Sequence, residues 1–557
     1  MSTPEALNVT THTVENQPTA LTDYNAFDGD LALQDALRLE GAANWFDTLS
    51  DYGAQASGRL ASLGIEANTH PPRLDTHDRY GHRLDQVVFH PSYHQLMTSG
   101  LAAGIGSLTW RGAPKGRIAR SALLYLHHQF EAGTVCPMTM THAAVPALEC
   151  QPDVAAAWVP GILGAQYDPD FRPATEKRGL TIGMAMTEKQ GGSDVRANTT
   201  RAMPLAQAGA GALYRLRGHK WFCSAPMSDA FLSLAQTPEG LSCFLVPRWR
   251  PDGTVNSIQF LRLKHKLGNT SNASAEIEYL DAWGWLLGEP GRGVATIIKM
   301  VAETRLDCAL GSAALMRQAV AQAIDHCQQR RAFGAFLADQ PLMINVLADL
   351  ALESELATRF AVFLAGCFDH ATVDETAEHL ARIGTPIAKY WLCKRAVHVV
   401  NEAQECLGGA GYIEDFILPR LYRDAPVNAI WEGSGNIQCL DVLRAIEREP
   451  GRLEAVLSWA TPMLADWPAA GRLVDQIKGL VSDRRNIANQ ARQLASALAL
   501  LFQARIVHQA NQPLLAELFV EGRLKPGAPA LFGNLPPGLP FVAMIERAQP
   551  RTLGAST

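Results

Sequence analysis

Two short stretches set the fold class: Tyr214-Arg215-Leu216-Arg217 and Glu276-Ile277-Glu278-Tyr279. In each, apolar and charged residues alternate with period two, the pattern of a strand with one face in a core and the other towards water. Between them, Cys243-Phe244-Leu245-Val246 is an apolar run ended by Pro247, and Pro251-Asp252-Gly253 reads as a turn. A β-domain is therefore expected over 181–290. Before it, residues 1–180 read as mainly helical, with long loops rich in Pro, His and Asp. After it, helical signals return from about 293 to 449, including a segment from Thr304 to Gln329 rich in Ala, Leu and Gln with few breakers. Pro450-Gly451 closes that region, and the remaining residues read as further helices with a Pro/Gly-rich insert from Lys525 to Pro540. The expected architecture is mainly α with a central β-domain: an N-terminal helical domain (1–180), the β-domain (181–290), a helical domain (291–445) and a C-terminal helical extension (446–557).

At 557 residues the chain exceeds a single compact core, and 47% hydrophobic with 19% charged residues excludes wholesale disorder. The net charge of −6 excludes a surface that is basic throughout, but the charge is unevenly placed. From Asp441 onward there are thirteen Lys and Arg against ten Asp and Glu, whereas the first 440 residues carry nine more acids than bases. Arg444 and Arg448 lie one helical turn apart, and Arg484, Arg485 and Arg492 form a second basic group. No run approaches the ~18 apolar residues of a membrane span; the best, Leu494 to Phe502, is nine residues long and interrupted by Ser496. Met1-Ser2-Thr3-Pro4-Glu5 lacks the basic and apolar regions of a secretory signal, so a soluble cytoplasmic protein with no membrane partner is expected. The ten cysteines are scattered without a C-x-x-C pair and are expected to be reduced core residues.

The stretch from His70 to His94 holds five histidines, and His90 and His94 are spaced i, i+4. Pro91 lies between them and no Glu completes H-E-x-x-H, so structural or surface roles are expected and no metal. No P-loop, G-x-G-x-x-G after a strand or G-x-S-x-G elbow occurs. Three glycine-punctuated segments remain. Met186-Thr187-Glu188-Lys189-Gln190-Gly191-Gly192-Ser193-Asp194 flanks a Gly-Gly turn with hydroxyls able to meet a ring carbonyl or a phosphate; a plain surface loop is the competing reading. Gln329-Arg330-Arg331-Ala332-Phe333-Gly334 ends the long helix with arginines suited to phosphate, or to the helix dipole alone. The third runs from Leu407-Gly408-Gly409-Ala410-Gly411-Tyr412 to Ile430-Trp431-Glu432-Gly433-Ser434-Gly435-Asn436. Glu432, set between a large aromatic and small residues, has the setting of a general base if burial raises its pKa, or of a loop Glu at a helix start.

Together and in this order, the segments resemble the acyl-CoA dehydrogenase family of flavoproteins, and within it the alkylation-response AidB branch. The likeness rests on Gly183–Val195, Gly218-His219-Lys220-Trp221-Phe222, Lys266-Leu267-Gly268-Asn269-Thr270-Ser271-Asn272-Ala273 and Pro426–Ile437, and extends to Phe89-His90-Pro91 and Pro137-Met138-Thr139-Met140-Thr141. Thr-Glu-Lys-Gln-Gly-Gly-Ser-Asp at 187–194 replaces the wider family's Thr-Glu-Pro-x-Ala-Gly-Ser-Asp, an AidB-like variant.

The resemblance implies an FAD-dependent oxidoreductase acting on an acyl-CoA thioester, with Glu432 as the base. It places Met186, Thr187, Gly192 and Ser193 against the flavin and its diphosphate, and Trp221, Phe222 and Cys223 over the flavin. It puts Trp431, Gly433, Ser434 and Asn436 beside the cofactor, the last two where the family commonly has Thr and Gln. Arg330 and Phe333 would reach the FAD of a neighbouring subunit in a homotetramer, and Gly408 and Gly409 would admit the adenosine half across a subunit boundary. Glu405 stands where many members have Gln, and an acid there would repel phosphate. Isovaleryl-CoA-type members take their base from the long helix; here Thr304 holds the position before Arg305, and Glu303 is one residue early, ~100° around the helix. The AidB likeness also implies a role in the response to DNA alkylation through sequence-independent binding of double-stranded DNA, with Arg444, Arg448, Arg484, Arg485 and Arg492 as contact candidates. The alternatives are a metabolic acyl-CoA dehydrogenase with no nucleic-acid role and a DNA-binding protein whose flavin is purely structural.

Overall fold

The computed structural model of the chain describes residues 11–22, 24–525 and 531–550. Met1 to Glu5, Arg551 and part of the Pro/Gly-rich insert lie outside the described residues. The N-terminal region carries α1 (Leu31–Leu39), α2 (Phe46–Gln55), α3 (Ala61–Thr69), α4 (Pro91–Ala103), α5 (Gly116–His128), α6 (Val135–Leu148) and α7 (Pro152–Leu163). One part of the expected loop is instead a hairpin, β1 (Arg73–His77) paired antiparallel with β2 (Arg83–Val88). Its turn is held by Asp78, whose Oδ1 accepts from the backbone N–H groups of Tyr80 and His82. The polar residues read as loop markers therefore build a turn. The histidines have structural partners: His90 caps α4 by accepting from the Ser92 N–H and stacks on His70 at 4.7 Å, while His94 bonds Tyr167.

The β-domain comprises β3 (Ile182–Ala185), β4 (Arg201–Pro204), β5 (Leu213–Ser224), β6 (Ala230–Thr237), β7 (Gly240–Pro247), β8 (Ile258–Leu263) and β9 (Ser274–Leu287). Five of them close a ring: β4 pairs with β5, β5 with β9, β9 with β7, β7 with β6, and β6 with β4 through Gln236 and Arg201. Closure explains the period-two pattern. Tyr214, Leu216, Ile277 and Tyr279 are buried inside the barrel, while Arg215 and Arg217 point to solvent. β3 adds parallel to β6 and so carries the chain from the N-terminal helices onto the barrel wall.

The second helical region begins with α8 (Gly293–Gln329), longer at its start than Thr304 suggested, followed by the two-residue strands β10 (Arg331–Ala332) and β11 (Ala335–Phe336). Then come α9 (Pro341–His370), α10 (Glu375–Leu407), α11 (Leu418–Asp424) and α12 (Gly435–Arg448), which runs through the 445/446 boundary expected from sequence. The extension contains α13 (Gly451–Ala460), α14 (Pro468–Ser482), α15 (Ala491–Ala510), α16 (Pro513–Phe519) and α17 (Phe541–Ala548). It shares one continuous apolar core with α9 and α10, in which Phe502 of α15 stacks on Phe360 of α9 at 5.3 Å. The apolar run 494–502 is thus the part of α15 buried in that core. Three buried carboxylates on α9 also tie the extension down: Asp349 and Glu353 bind Arg523, and Glu355 binds Arg547. No helix among the described residues is long and apolar enough to cross a membrane.

Candidate active site

Glu432 sits at φ +59 and Gly433 at φ +98, a left-handed pair at the entry to α12. A glutamate there is strained by its Cβ, so neighbouring contacts must hold it. Arg305 Nε donates to the Glu432 carbonyl at 3.1 Å, and Gln438 Nε2 donates to the carbonyls of Glu432 and Gly433 at 3.1 and 2.8 Å. Lys389 Nζ donates to the carbonyls of Asn428 and Gly433 at 3.0 and 2.9 Å. Arg305 is itself fixed by Asp441 at 2.6 Å, which also pairs with Arg382. Gly433 is required twice over, by its φ and because a Cβ would lie 2.8 Å from Gln438 Nε2.

These contacts push the Glu432 side chain into a cavity beneath Trp431, lined from α6 by Cys136, Thr139 and Met140 and from α8 by Thr304, Asp307 and Cys308. Its Oε2 is buried and has no hydrogen-bond partner. Burial therefore raises its pKa; the Thr304 hydroxyl, Lys389 and Arg305 oppose the shift without cancelling it. Glu303, the rival acid on α8, is in a different state. Arg117 and His142 bind it, and its carboxyl is held down to about 2 against the cost of its burial. A carboxylate locked in that way is a poor proton acceptor near neutrality.

The expected cofactor residues fall into groups. Met186 and Trp431 pack on one apolar cluster that includes Met140, Met184 and Met300, so the first and third glycine-rich segments meet there. Thr187 accepts from the Trp221 N–H at 2.8 Å through its carbonyl, joining the loop to β5. Gly192 and Ser193 are exposed beyond it. Lys264 Nζ lies 3.3 Å from the Trp221 ring centroid, with Lys189 and Arg262 also within cation–π reach, and Phe222 meets the Trp221 ring edge to face. The Cys223 side chain differs from its neighbours: it is fully buried in the barrel core, where burial pushes its thiol pKa far up.

Arg330 and Phe333 lie away from Glu432 on the hairpin after α8. Phe333 is 100% exposed at φ +51, and Arg330 bonds the Asn16 carbonyl. Gly408, at φ +61, and Gly409 have open space where a Cβ would stand, and Tyr412 beyond them is 83% exposed. Glu405 is exposed and accepts from Asn401. Ser434 and Asn436 are exposed in the first turn of α12, and Asn436 accepts from Arg492 of α15 at 2.8 Å. Arg444, Arg448, Arg484 and Arg485 are exposed, and Arg444 stands 3.9 Å from Asp441. The hydroxyls of Thr187, Ser193 and Ser434 have no protein partner among the described residues and are accessible, so each is free to bond a polar cofactor.

Sequence reasoning gave no role to Glu188 or Lys220, though both lie in the quoted motifs. They form a fully buried ion pair at 2.7 Å, and Glu188 also accepts from the N–H groups of Thr199 and Thr200. Glu188 and Gly191 exchange backbone hydrogen bonds, so this pair shapes the Thr187–Ser193 loop. Lys266–Ala273 is likewise a joint: a Cβ on Gly268 would strike the Arg423 carbonyl, the Asn269 N–H donates to Asp424, and Ser271 donates to Glu131. Lys389 carries a faint sequence signal, a cation inside an apolar helical run.

The AidB N-terminal domain model matches residues 16–169, the acyl-CoA dehydrogenase middle domain 183–282, and the acyl-CoA dehydrogenase C-terminal domain 291–447. Escherichia coli (strain K12) AidB, which carries acyl-CoA dehydrogenase in its name, is 50% identical over 445 residues, covering 79% of this chain and 81% of that protein. The structure of Caenorhabditis elegans ACDH-11 in complex with C11-CoA superposes with a TM-score of 0.83 at 26% identity, over 97% of this chain and 93% of that one. A Bacillus anthracis acyl-CoA dehydrogenase complexed with FAD shares the fold, with a TM-score of 0.64 at 17% identity over 90% of this chain and 89% of that one. The chain belongs to the acyl-CoA dehydrogenase family of flavin-dependent oxidoreductases, in its AidB branch.

Proposed function

We propose that this protein dehydrogenates an acyl-CoA thioester between its α and β carbons, with Glu432 as the base. The observation that carries the reading is the buried, unpartnered Oε2 of Glu432 in a cavity floored by α6 and α8. Bound FAD supplies the hydride acceptor. Thr187, Ser193, Ser434 and Asn436 are the residues that would hold it, with Trp221 and Trp431 against its ring system. Glu432 takes the α-proton onto its free carboxylate oxygen, and its raised pKa makes it a stronger base than an exposed glutamate. Arg305 and Gln438 keep the acid in place by gripping its carbonyl, and Lys389 by gripping the carbonyls of Asn428 and Gly433 on either side. Met140 and the two thiols keep water from the acyl group. Anaerobic addition of acyl-CoAs from four to twelve carbons should bleach the flavin absorbance. A flavin that stays oxidised throughout the series refutes the reading.

Two further parts of the proposal concern partners. The wholly exposed Phe333 and the exposed Tyr412, Ile413 and Phe416 support burial against other copies of the chain in a homotetramer. Ten free cysteines suit a reducing cytoplasm. Duplex DNA binding without sequence preference, in a response to alkylation, is favoured by Arg484 and Arg485, which are exposed and have no acidic partner among the described residues. The charge count overstates this surface, because Arg452, Arg523 and Arg547 are spent on internal ion pairs. Binding should weaken steeply with salt, and Arg484→Ala/Arg485→Ala should reduce the log–log salt slope by about 2. An affinity flat in ionic strength overturns this part.

A further inference from the structure

Arg492 belongs to the extension, yet its contact lies on α12, in the helical domain that carries Glu432. Its Nε donates to Asn436 Oδ1 at 2.8 Å, four residues along the chain from Glu432. That bond uses one edge of the guanidinium and leaves its Nη groups without a protein partner among the described residues. Lys394 of α10 approaches the same turn: a Cβ on Gly435 would lie 2.8 Å from Lys394 Cε and 3.5 Å from its Nζ. The charges of both reach Cys439 on α12, whose thiol is held up by burial and pulled down by Arg492 and Lys394. Neither cation has a carboxylate partner among the described residues, whereas Arg305 of α8 and Arg382 of α10 are both neutralised by Asp441, further along α12. Two unneutralised cations beside the unbonded Ser434 hydroxyl match an anion with two charges and several acceptor oxygens.

We propose that the C-terminal extension completes the cofactor site: Arg492, seated on Asn436, and Lys394 together bind the diphosphate of FAD. The inference rests on the dehydrogenase reading for the placement of FAD at Ser434 and Asn436. It takes Arg492 out of the DNA-contact group and gives the extension a part in holding flavin. It also accounts for Asn436, which both accepts from Arg492 and keeps its amide N–H groups for the ligand.

The test is FAD affinity, measured by quenching of flavin fluorescence on titrating apoprotein. Arg492→Ala should loosen FAD about 10- to 100-fold, the loss expected for a charge-assisted hydrogen bond. Arg492→Lys should recover part of it, and Arg492→Ala/Lys394→Ala should purify without flavin. Arg484→Ala/Arg485→Ala should bind FAD as wild type does. If the Arg492→Ala apoprotein does not fold, Arg492→Lys and Lys394→Ala decide by the same titration. Unchanged FAD affinity in the Arg492 and Lys394 variants overturns the inference. So does a loss confined to CoA or to duplex DNA, each titrated separately, since it assigns the cations to another phosphate. If the wild-type protein binds FAD with Arg492-dependent affinity but no acyl-CoA bleaches it, the inference stands and the dehydrogenase reading fails.

Discussion

Replacing Glu432 by Gln separates catalysis from stability in opposite directions. Gln cannot accept a proton, so flavin reduction by an acyl-CoA should fall by at least about 10³-fold, the upper part of the range for general base catalysis, or about 4 kcal/mol on the barrier. FAD should remain bound, because the backbone contacts of Arg305, Gln438 and Lys389 do not involve the carboxylate. Stability should move the other way. Burial raises the Glu432 pKa in the folded protein, so the folded state holds its proton to higher pH than the unfolded chain does. The stability this protonation provides is complete below the unfolded pKa and is lost as pH rises through the folded one. At neutral pH the ionised carboxylate therefore costs about 1.4 kcal/mol for each unit of that shift. Glu432→Gln removes the cost, so its melting temperature should exceed that of wild-type protein at pH 8 and match it at pH 4. Stopped-flow flavin bleaching and thermal melts at the two pH values read both effects. Undiminished bleaching refutes the role of Glu432; equal melting temperatures at pH 8 refute the destabilising burial of its carboxylate.

Gly433→Ala should cost about 1–3 kcal/mol from its positive φ and from a Cβ 2.9 Å from Ile437. It should also slow bleaching by displacing Glu432; a melt unchanged from wild type would show that the turn is not strained. Lys220→Met leaves the Glu188 carboxylate buried without its cation and should destabilise by about 3–5 kcal/mol. Urea denaturation measures that loss, and FAD content should drop as the Thr187–Ser193 loop loosens. Phe333→Asp puts a charge on the fully exposed hairpin tip, so, on the proposed self-association, sedimentation should show smaller assemblies while the monomer's melt is unaffected; an unchanged sedimentation coefficient would remove Phe333 from any interface.

The sequence alone determined the order helical, β, helical, because the two periodicities are local properties of the chain. Tyr214 and Leu216 alternate with arginines whatever lies elsewhere, and α8 needs only its own run of good helix formers. Glu432 stood out as a candidate base only through the family resemblance, since an acid between Trp431 and Gly433 reads equally as a loop residue at a helix start. The hairpin Arg73–Val88 was not legible, because Pro, His and Asp mark turns and loops alike and only pairing across the hairpin separates them. The extension also read as an appendage, since nothing local shows that Arg523 and Arg547 are consumed by carboxylates on α9, at least 170 residues away. Charge counts treat every arginine as free, whereas burial and pairing decide which of them act on solvent. The same holds for Arg492, whose neighbours in sequence suggested a basic surface patch and whose neighbour in space is Asn436. The chain specifies its elements through short-range periodicity; which charges remain unpaired, and that Glu432 is one of them, is decided only when distant helices close on each other and exclude water.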